Sequence, residues 1–267
     1  MPLACGLYYH VYHSEKVEAP PVVLLHGAGG TSQSWPAQIR RLGGFRVFAL
    51  DLPGHGKSDQ GGGYQSIRAY ADHLLDWLSA MGLHQAVFVG HSMGGAIALE
   101  LAIDNAEHVI GLGLVATGAR LHIQPELLAD ASSPATFNQT VDFLVSHSFT
   151  QQASPGLVRL AAKRLAQIRP GVLYGDLLAS ASFDRMDRLG KIFQPVIILC
   201  GAEDEMTPVR SSQILLDLIP GAELELIPRA GHMVMLEQPE VVARALQTFL
   251  NRLVFVPGGK KYRVYRY

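Results

Sequence analysis

The stretch Gly90-His91-Ser92-Met93-Gly94 places one hydroxyl between glycines two residues away on either side. It follows the apolar run "AVFV" and opens onto "GGAIALELAI", a strand-like segment leading into a helix-like one. A serine on such a corner is held in a strained conformation, and Gly90 and Gly94 supply the missing Cβ atoms that let strand and helix approach. The corner lifts the hydroxyl above the sheet edge, while the following helix turns its N-terminal N–H groups toward developing negative charge. Those are the conditions for a nucleophile.

A serine hydroxyl reacts poorly alone and needs a base, with a third group to orient that base. "GAEDEMTP" follows the apolar run "VIILC", and "RAGHMVMLEQPE" follows "LELIP". Asp204 and His232 are therefore expected on loops just past strand ends, where open α/β sheets collect functional residues. Glu203 and Glu205 flank the acid and offer the same chemistry. The chain order serine, acid, histidine matches one hydrolase architecture.

A tetrahedral intermediate also needs two donors. One is the N–H of Met93, directly after the nucleophile. The other is expected from "HGAGG", the loop after "PVVLL", with Ala28 as the candidate and Gly27 and Gly29 letting the backbone approach a ligand. His26 and His91 lie beside these loops and are expected to hold backbone, not to react. The eleven histidines show no metal-ligand spacing, and "GAGG" lacks the Lys-Ser/Thr of a phosphate loop. No metal and no cofactor are expected.

The elements that must position these groups follow from the apolar pattern. "LYYHVYH" reads as an early edge strand, and "PPVVLLHG", "FRVFALD", "QAVFVG" and "VIGLGLVA" read as short strands covered on both faces. Ile67, Tyr70, Ala71, Leu74, Leu78 and Met81 form one helical stripe between two of them. From 121 to 190 the rhythm turns helical, with "PELLADA", "ATFNQTVDFLVSH" and "PGLVRLAAKRLAQIR". Strands resume at "PVIILC" and "AELELIP", and a stripe from Val242 to Leu253 closes the pattern. The expected fold is α/β, a doubly wound, mostly parallel sheet with a helical cap inserted between two late strands. Residues 1–120 and 191–254 are expected to form the core, 121–190 the cap, and 255–267 a basic C-terminal tail read as a disordered end, an added strand or a partner contact.

Composition sets the bounds. Of 267 residues, 48% are hydrophobic and 17% charged, which excludes a disordered chain, and a formal charge of −1 gives no case for nucleic acid or membrane attraction. Two cysteines are too few for a disulfide framework, the N-terminal residues lack the basic flank and long apolar run expected of a signal peptide, and no apolar run reaches membrane length. A cytoplasmic protein is expected, with oligomeric state left open.

From about residue 5 to 254 the chain resembles the α/β-hydrolase superfamily. "HGAGG", "DLPGHGKSD", "GHSMGG", "GAEDEMTP" and "AGHMVMLEQP" carry the resemblance, in the family's order and spacing. Asp204 stands four residues before Pro208, similar to the family's acid loop, and "VATGAR" offers no acid at the other place some relatives use. "DLPGHGKSD" resembles a structural turn shaped by Asp51 and Pro53, with His55 a minor catalytic candidate. The implied activity is that of a carboxylesterase-like serine hydrolase, taking small-molecule esters of small to medium, apolar acyl groups through an acyl-enzyme. Dehalogenases and epoxide hydrolases of the family carry aspartate at the corner, so Ser92 argues against both. C–C bond hydrolases, lactonases, thioesterases, amidases and perhydrolases share the serine and stay open, as does a slow-hydrolysing ligand receptor.

Overall fold

The computed structural model describes residues 2–12, 19–59, 61–254 and 263–264. Short apolar runs without polar alternation fold as the central strands, buried along their length, while the outer strands are partly exposed. In chain order the sheet contains β1 (Leu3–Ala4), β2 (Leu7–Tyr12), β3 (Val22–Leu25), β4 (Val47–Leu50), β5 (Ala86–His91), β6 (Val109–Val115), β7 (Val196–Gly201) and β8 (Glu223–Ile227). Their order across the sheet is β1-β2-β4-β3-β5-β6-β7-β8. Strands β3 to β8 pair in parallel, while β1 and β2 are antiparallel to their neighbours. The doubly wound, mostly parallel sheet expected from the sequence is the one observed. One detail differs: β2, expected at the edge, is second in, because Leu3 and Ala4 pair onto it.

Helices cover both faces. They are α1 (Ala37–Arg40), α2 (Ile67–Ala80), α3 (Met93–Asp104), α4 (Pro125–Ser132), α5 (Phe137–Ser148), α6 (Pro155–Leu165), α7 (Pro170–Ala181), α8 (Val209–Leu218), α9 (Val234–Glu237) and α10 (Pro239–Arg252). Phe88 of β5 points into the cluster holding Tyr70, Leu74, Trp77 and Leu99, whereas Val87 and Val89 point into the one holding Trp35, Ile39, Leu246 and Phe249. This is the period-2 alternation of a strand with an apolar layer on each side. Burying each such large side chain contributes roughly 1.5–3 kcal/mol. Helix α3 is buried nearly all round, as a helix between sheet and outer helices must be. Glu100, in its middle, is fully buried and is held by Arg185 through two bonds of 2.7 and 2.9 Å.

Helices α4 to α7 stand between β6 and β7, which pair with each other directly. They share a small apolar cluster, including Leu127, Phe137, Leu144 and Leu173, against which Ala28 and Met206 also pack. Those two residues belong to the loops after β3 and β7, so the inserted helices touch two of the loops singled out in the sequence. Arg263–Val264 pairs antiparallel with β9 (Leu253–Val254) as β10; the rest of the tail lies outside the described residues. Among those residues, no helix is long and apolar enough to cross a membrane.

Candidate active site

Ser92 joins β5 to α3 with φ 52° and ψ −118°, a conformation that costs on the order of 1–3 kcal/mol outside glycine. Two backbone bonds hold it there: the Ser92 N–H donates to Val115 O at 2.9 Å, and Thr117 Oγ1 donates to Ser92 O at 2.8 Å. A Cβ on Gly90 would lie 2.2 Å from Gly94 O, and one on Gly94 would lie 2.3 Å from Leu25 O. Any side chain at either position would push the strand and helix apart.

Asp204, after β7, and His232, after β8, are both buried and meet through His232 Nδ1, 3.1 Å from Oδ2 and 3.2 Å from Oδ1. The carboxylate can only accept there, so Nδ1 carries the proton and Nε2 is left with its lone pair. Asp204 Oδ1 also accepts the N–H groups of Met206 (2.9 Å) and Thr207 (2.8 Å), and Oδ2 accepts Thr207 Oγ1 (2.7 Å). Burial alone would raise the Asp204 carboxyl, but His232 and the Thr207 donors outweigh it and hold it below the usual carboxylate range. Glu203 and Glu205, the alternatives beside it, are exposed.

The histidine loop is tied down from three sides. His91 Nε2 donates to His232 O at 3.0 Å, Met233 N donates to Ser148 O at 2.9 Å, and Gly231 N donates to Glu237 Oε2 at 2.8 Å. Glu237 Oε1 in turn accepts the N–H and hydroxyl of Thr150, just past α5.

In the loop after β3, an account of the backbone donors is informative. Gly29 N donates to Asp176 Oδ2 at 2.8 Å and Gly30 N to Gly27 O at 3.0 Å. His26 Nδ1 donates to Gly27 O at 2.8 Å, and its Nε2 accepts the Leu52 N–H at 3.0 Å. The Ala28 N–H has no partner among the described residues. Met93 is likewise unpaired at the first position of α3, where no helical acceptor exists. Ala28, Ser92 and His232 line one cavity of about 230 Å³, walled largely by apolar side chains such as Ile123, Leu144, Val145, Phe149 and Leu157.

His55 is not on that cavity; it is buried beneath it against Asp176. Asp176, Glu237, Thr207 and Thr117 were not singled out by the sequence. Asp176 had a signal, being the lone charge in the apolar helix "PGVLYGDLLASA".

These imidazoles give the folded state a pH optimum. Burial, reinforced by His55, lowers His26 to about 4, and burial, reinforced by His232, lowers His91 to about 3. Burial alone would lower His55 too, but Asp176 more than reverses it, so His55 is raised above 6.5. Below pH 6.5 an unfolded chain protonates His26 and His91 before the folded one does. Each such proton removes about 1.4 kcal/mol of stability per pH unit until the folded group also titrates. The His55 contribution is complete below 6.5 and is lost as pH rises through its raised value. Tm measured from pH 4 to 9 is therefore expected to peak near 6.5 and fall more steeply on the acid side. A Tm that stays flat from 6.5 to 4.5 would overturn this.

A sequence model of the family described as alpha/beta hydrolase fold matches residues 20–239. The chain belongs to this family. A provisionally assigned carbamate hydrolase, RutD, of Variovorax paradoxus (strain S110) is 30% identical over 94% of this chain and 98% of its own. The pimeloyl-[acyl-carrier protein] methyl ester esterase of Vibrio vulnificus (strain CMCP6) is 28% identical over 88% and 96%. A thermophilic esterase from Thermogutta terrifontis superposes with a TM-score of 0.83 at 26% identity, covering 92% of this chain and 93% of that one. This α/β-hydrolase chain is thus placed among hydrolases whose names span carbamates and esters.

Proposed function

We propose that the protein is a carboxylesterase-like serine hydrolase cleaving esters of small to medium, apolar acyl groups through an acyl-enzyme. One observation carries the reading: Ser92, the His232–Asp204 pair and the unpartnered Ala28 N–H converge on a single, mostly apolar cavity. Ser92 Oγ attacks the ester carbonyl while His232 Nε2 takes its proton and Asp204 stabilises the resulting imidazolium. The N–H groups of Ala28 and Met93 receive the oxyanion. His232 then protonates the leaving alcohol and afterwards takes a proton from water, which attacks the acyl-enzyme and releases the acid. The small cavity volume supports compact acyl groups over long chains. Cys5, exposed and unbridged, suits the reducing cytoplasm.

A panel of p-nitrophenyl esters from acetyl to decanoyl, run beside a lactone, a thioester and a carbamate, tests this. The highest kcat/KM is expected on an acyl chain of intermediate or shorter length, with a fluorophosphonate probe labelling Ser92. Faster turnover of the lactone, thioester or carbamate would overturn the ester assignment. Slow, near single-turnover release with a ligand-dependent rise in Tm would indicate a receptor, and absence of labelling would overturn the mechanism.

A further inference from the structure

Beneath the catalytic loops lies a second buried polar cluster that the mechanism above does not use. Asp176, in the middle of α7, is fully buried and accepts three bonds. Its Oδ1 takes the Tyr70 hydroxyl at 2.6 Å, and its Oδ2 takes His55 Nε2 and the Gly29 N–H, each at 2.8 Å. Tyr70 oxygen already accepts the Tyr64 N–H at 3.1 Å, so its own proton goes to Asp176. His55 Nδ1 faces the Pro53 carbonyl at 3.0 Å and Nε2 faces the carboxylate, so both ring nitrogens donate. The result is a carboxylate pinned on two sides by core residues, with its remaining capacity spent on one backbone N–H.

That N–H belongs to the loop expected to hold the oxyanion. Gly29 has φ +65°, and a Cβ there would lie 2.5 Å from Leu165 Cδ1 and 3.1 Å from Leu173 Cδ1. Helices α6 and α7 therefore pack directly on the loop while Asp176 bonds it. Fixing the Gly29 N–H fixes the Ala28–Gly29 peptide plane and so anchors Ala28 on its C-terminal side; the Ala28 N–H lies in the adjoining Gly27–Ala28 plane, whose carbonyl accepts Gly30 N and His26 Nδ1, and has no partner among the described residues.

We infer that Asp176 is a positioning residue for the oxyanion site, held by His55 and Tyr70 and acting through Gly29 to set the Ala28 N–H. The inference rests on the serine hydrolase reading. It gives the inserted helices a part in the chemistry beyond covering the cavity: the donor is set only while α7 is seated on the core. Asp176 touches no reacting atom, so its effect falls on the transition state and spares ground-state binding.

The test is steady-state hydrolysis of p-nitrophenyl butyrate by the full chain and its variants, each checked for folding by circular dichroism. It is paired with inhibition by benzeneboronic acid, whose tetrahedral adduct on the serine places an oxygen at the oxyanion position, and by butyrate as a ground-state ligand. Asp176→Ala is expected to lower kcat about 100-fold, within the range for losing one oxyanion donor, with KM changed less than about threefold. Ki for the boronic acid should rise by a similar factor and that for butyrate should not. Asp176→Asn keeps an oxygen for Gly29 and is expected to fall between the parent and the alanine variant. If Asp176→Ala does not fold, Asp176→Asn and Tyr70→Phe carry the test, each with a matched loss in kcat and in boronic acid affinity. Folded variants that lose only Tm, or whose kcat stays within about threefold of the parent, would overturn the assignment. A parent with no Ser92-dependent turnover would instead overturn the hydrolase reading and this inference with it.

Discussion

Replacing Ser92 by alanine is expected to lower kcat on a p-nitrophenyl ester by about 10⁶-fold, by analogy with serine proteases that lose their nucleophile. The size follows from what is lost and what stays. Without Oγ no acyl-enzyme forms, so His232, Asp204 and the oxyanion donors have only a water molecule to act on, at no fixed position. What stays is the fold, because Ser92 is held by its backbone: the N–H to Val115 O and the carbonyl from Thr117 Oγ1 survive truncation. Alanine tolerates φ 52° no better and little worse than serine, so the strain is nearly the same in both. The expected signature is thus a silenced enzyme with an almost unchanged Tm, and loss of fluorophosphonate labelling. A variant retaining more than about a hundredth of the parent rate would assign the nucleophile elsewhere.

Most of the sheet was legible because its central strands, β3 to β7, are uninterrupted apolar runs, and a parallel strand covered on both faces needs nothing more. The glycines of the Ser92 corner were legible for a steric reason that holds at short range in sequence: Gly90 and Gly94 are four residues apart and meet across the turn. The placement of β2 was not, since whether two residues such as Leu3 and Ala4 add a strand depends on partners far along the chain. Long-range polar partners were hidden for the same reason. Asp176 pairs with His55 across 121 positions and Glu237 with Thr150 across 87, and no local pattern links such residues. His55 was read only as part of a turn in "DLPGHGKSD", because the carboxylate that gives it a charged partner lies in the one long helix of the 121–190 block whose sequence was not picked out. A buried acid in an otherwise apolar helix is the clue that remained, since it must find donors wherever the fold supplies them.

Asp204→Asn is the second large effect, an expected loss of about 10⁴-fold in kcat, and the hydrogen-bond geometry dictates its origin. Oδ1 accepts two backbone N–H groups, from Met206 and Thr207, so the carboxamide oxygen must take that place. The NH₂ is then forced to the Oδ2 side, where it meets His232 Nδ1 and the Thr207 hydroxyl. Two donors cannot face each other, so His232 must move its proton to Nε2 and let Nδ1 accept. Nε2, the nitrogen that should take the Ser92 proton, then has no lone pair. Two nearby groups are able to compete: the Thr207 hydroxyl, 3.3 Å from Nδ1, and the carboxamide oxygen on the Oδ1 side, 3.2 Å from it. If either accepted the Nδ1 proton it would restore the working tautomer, and the loss would shrink to the charge effect alone. A loss of less than about 100-fold would show that one of these acceptors, and not the Asp204 charge, keeps His232 in its working tautomer.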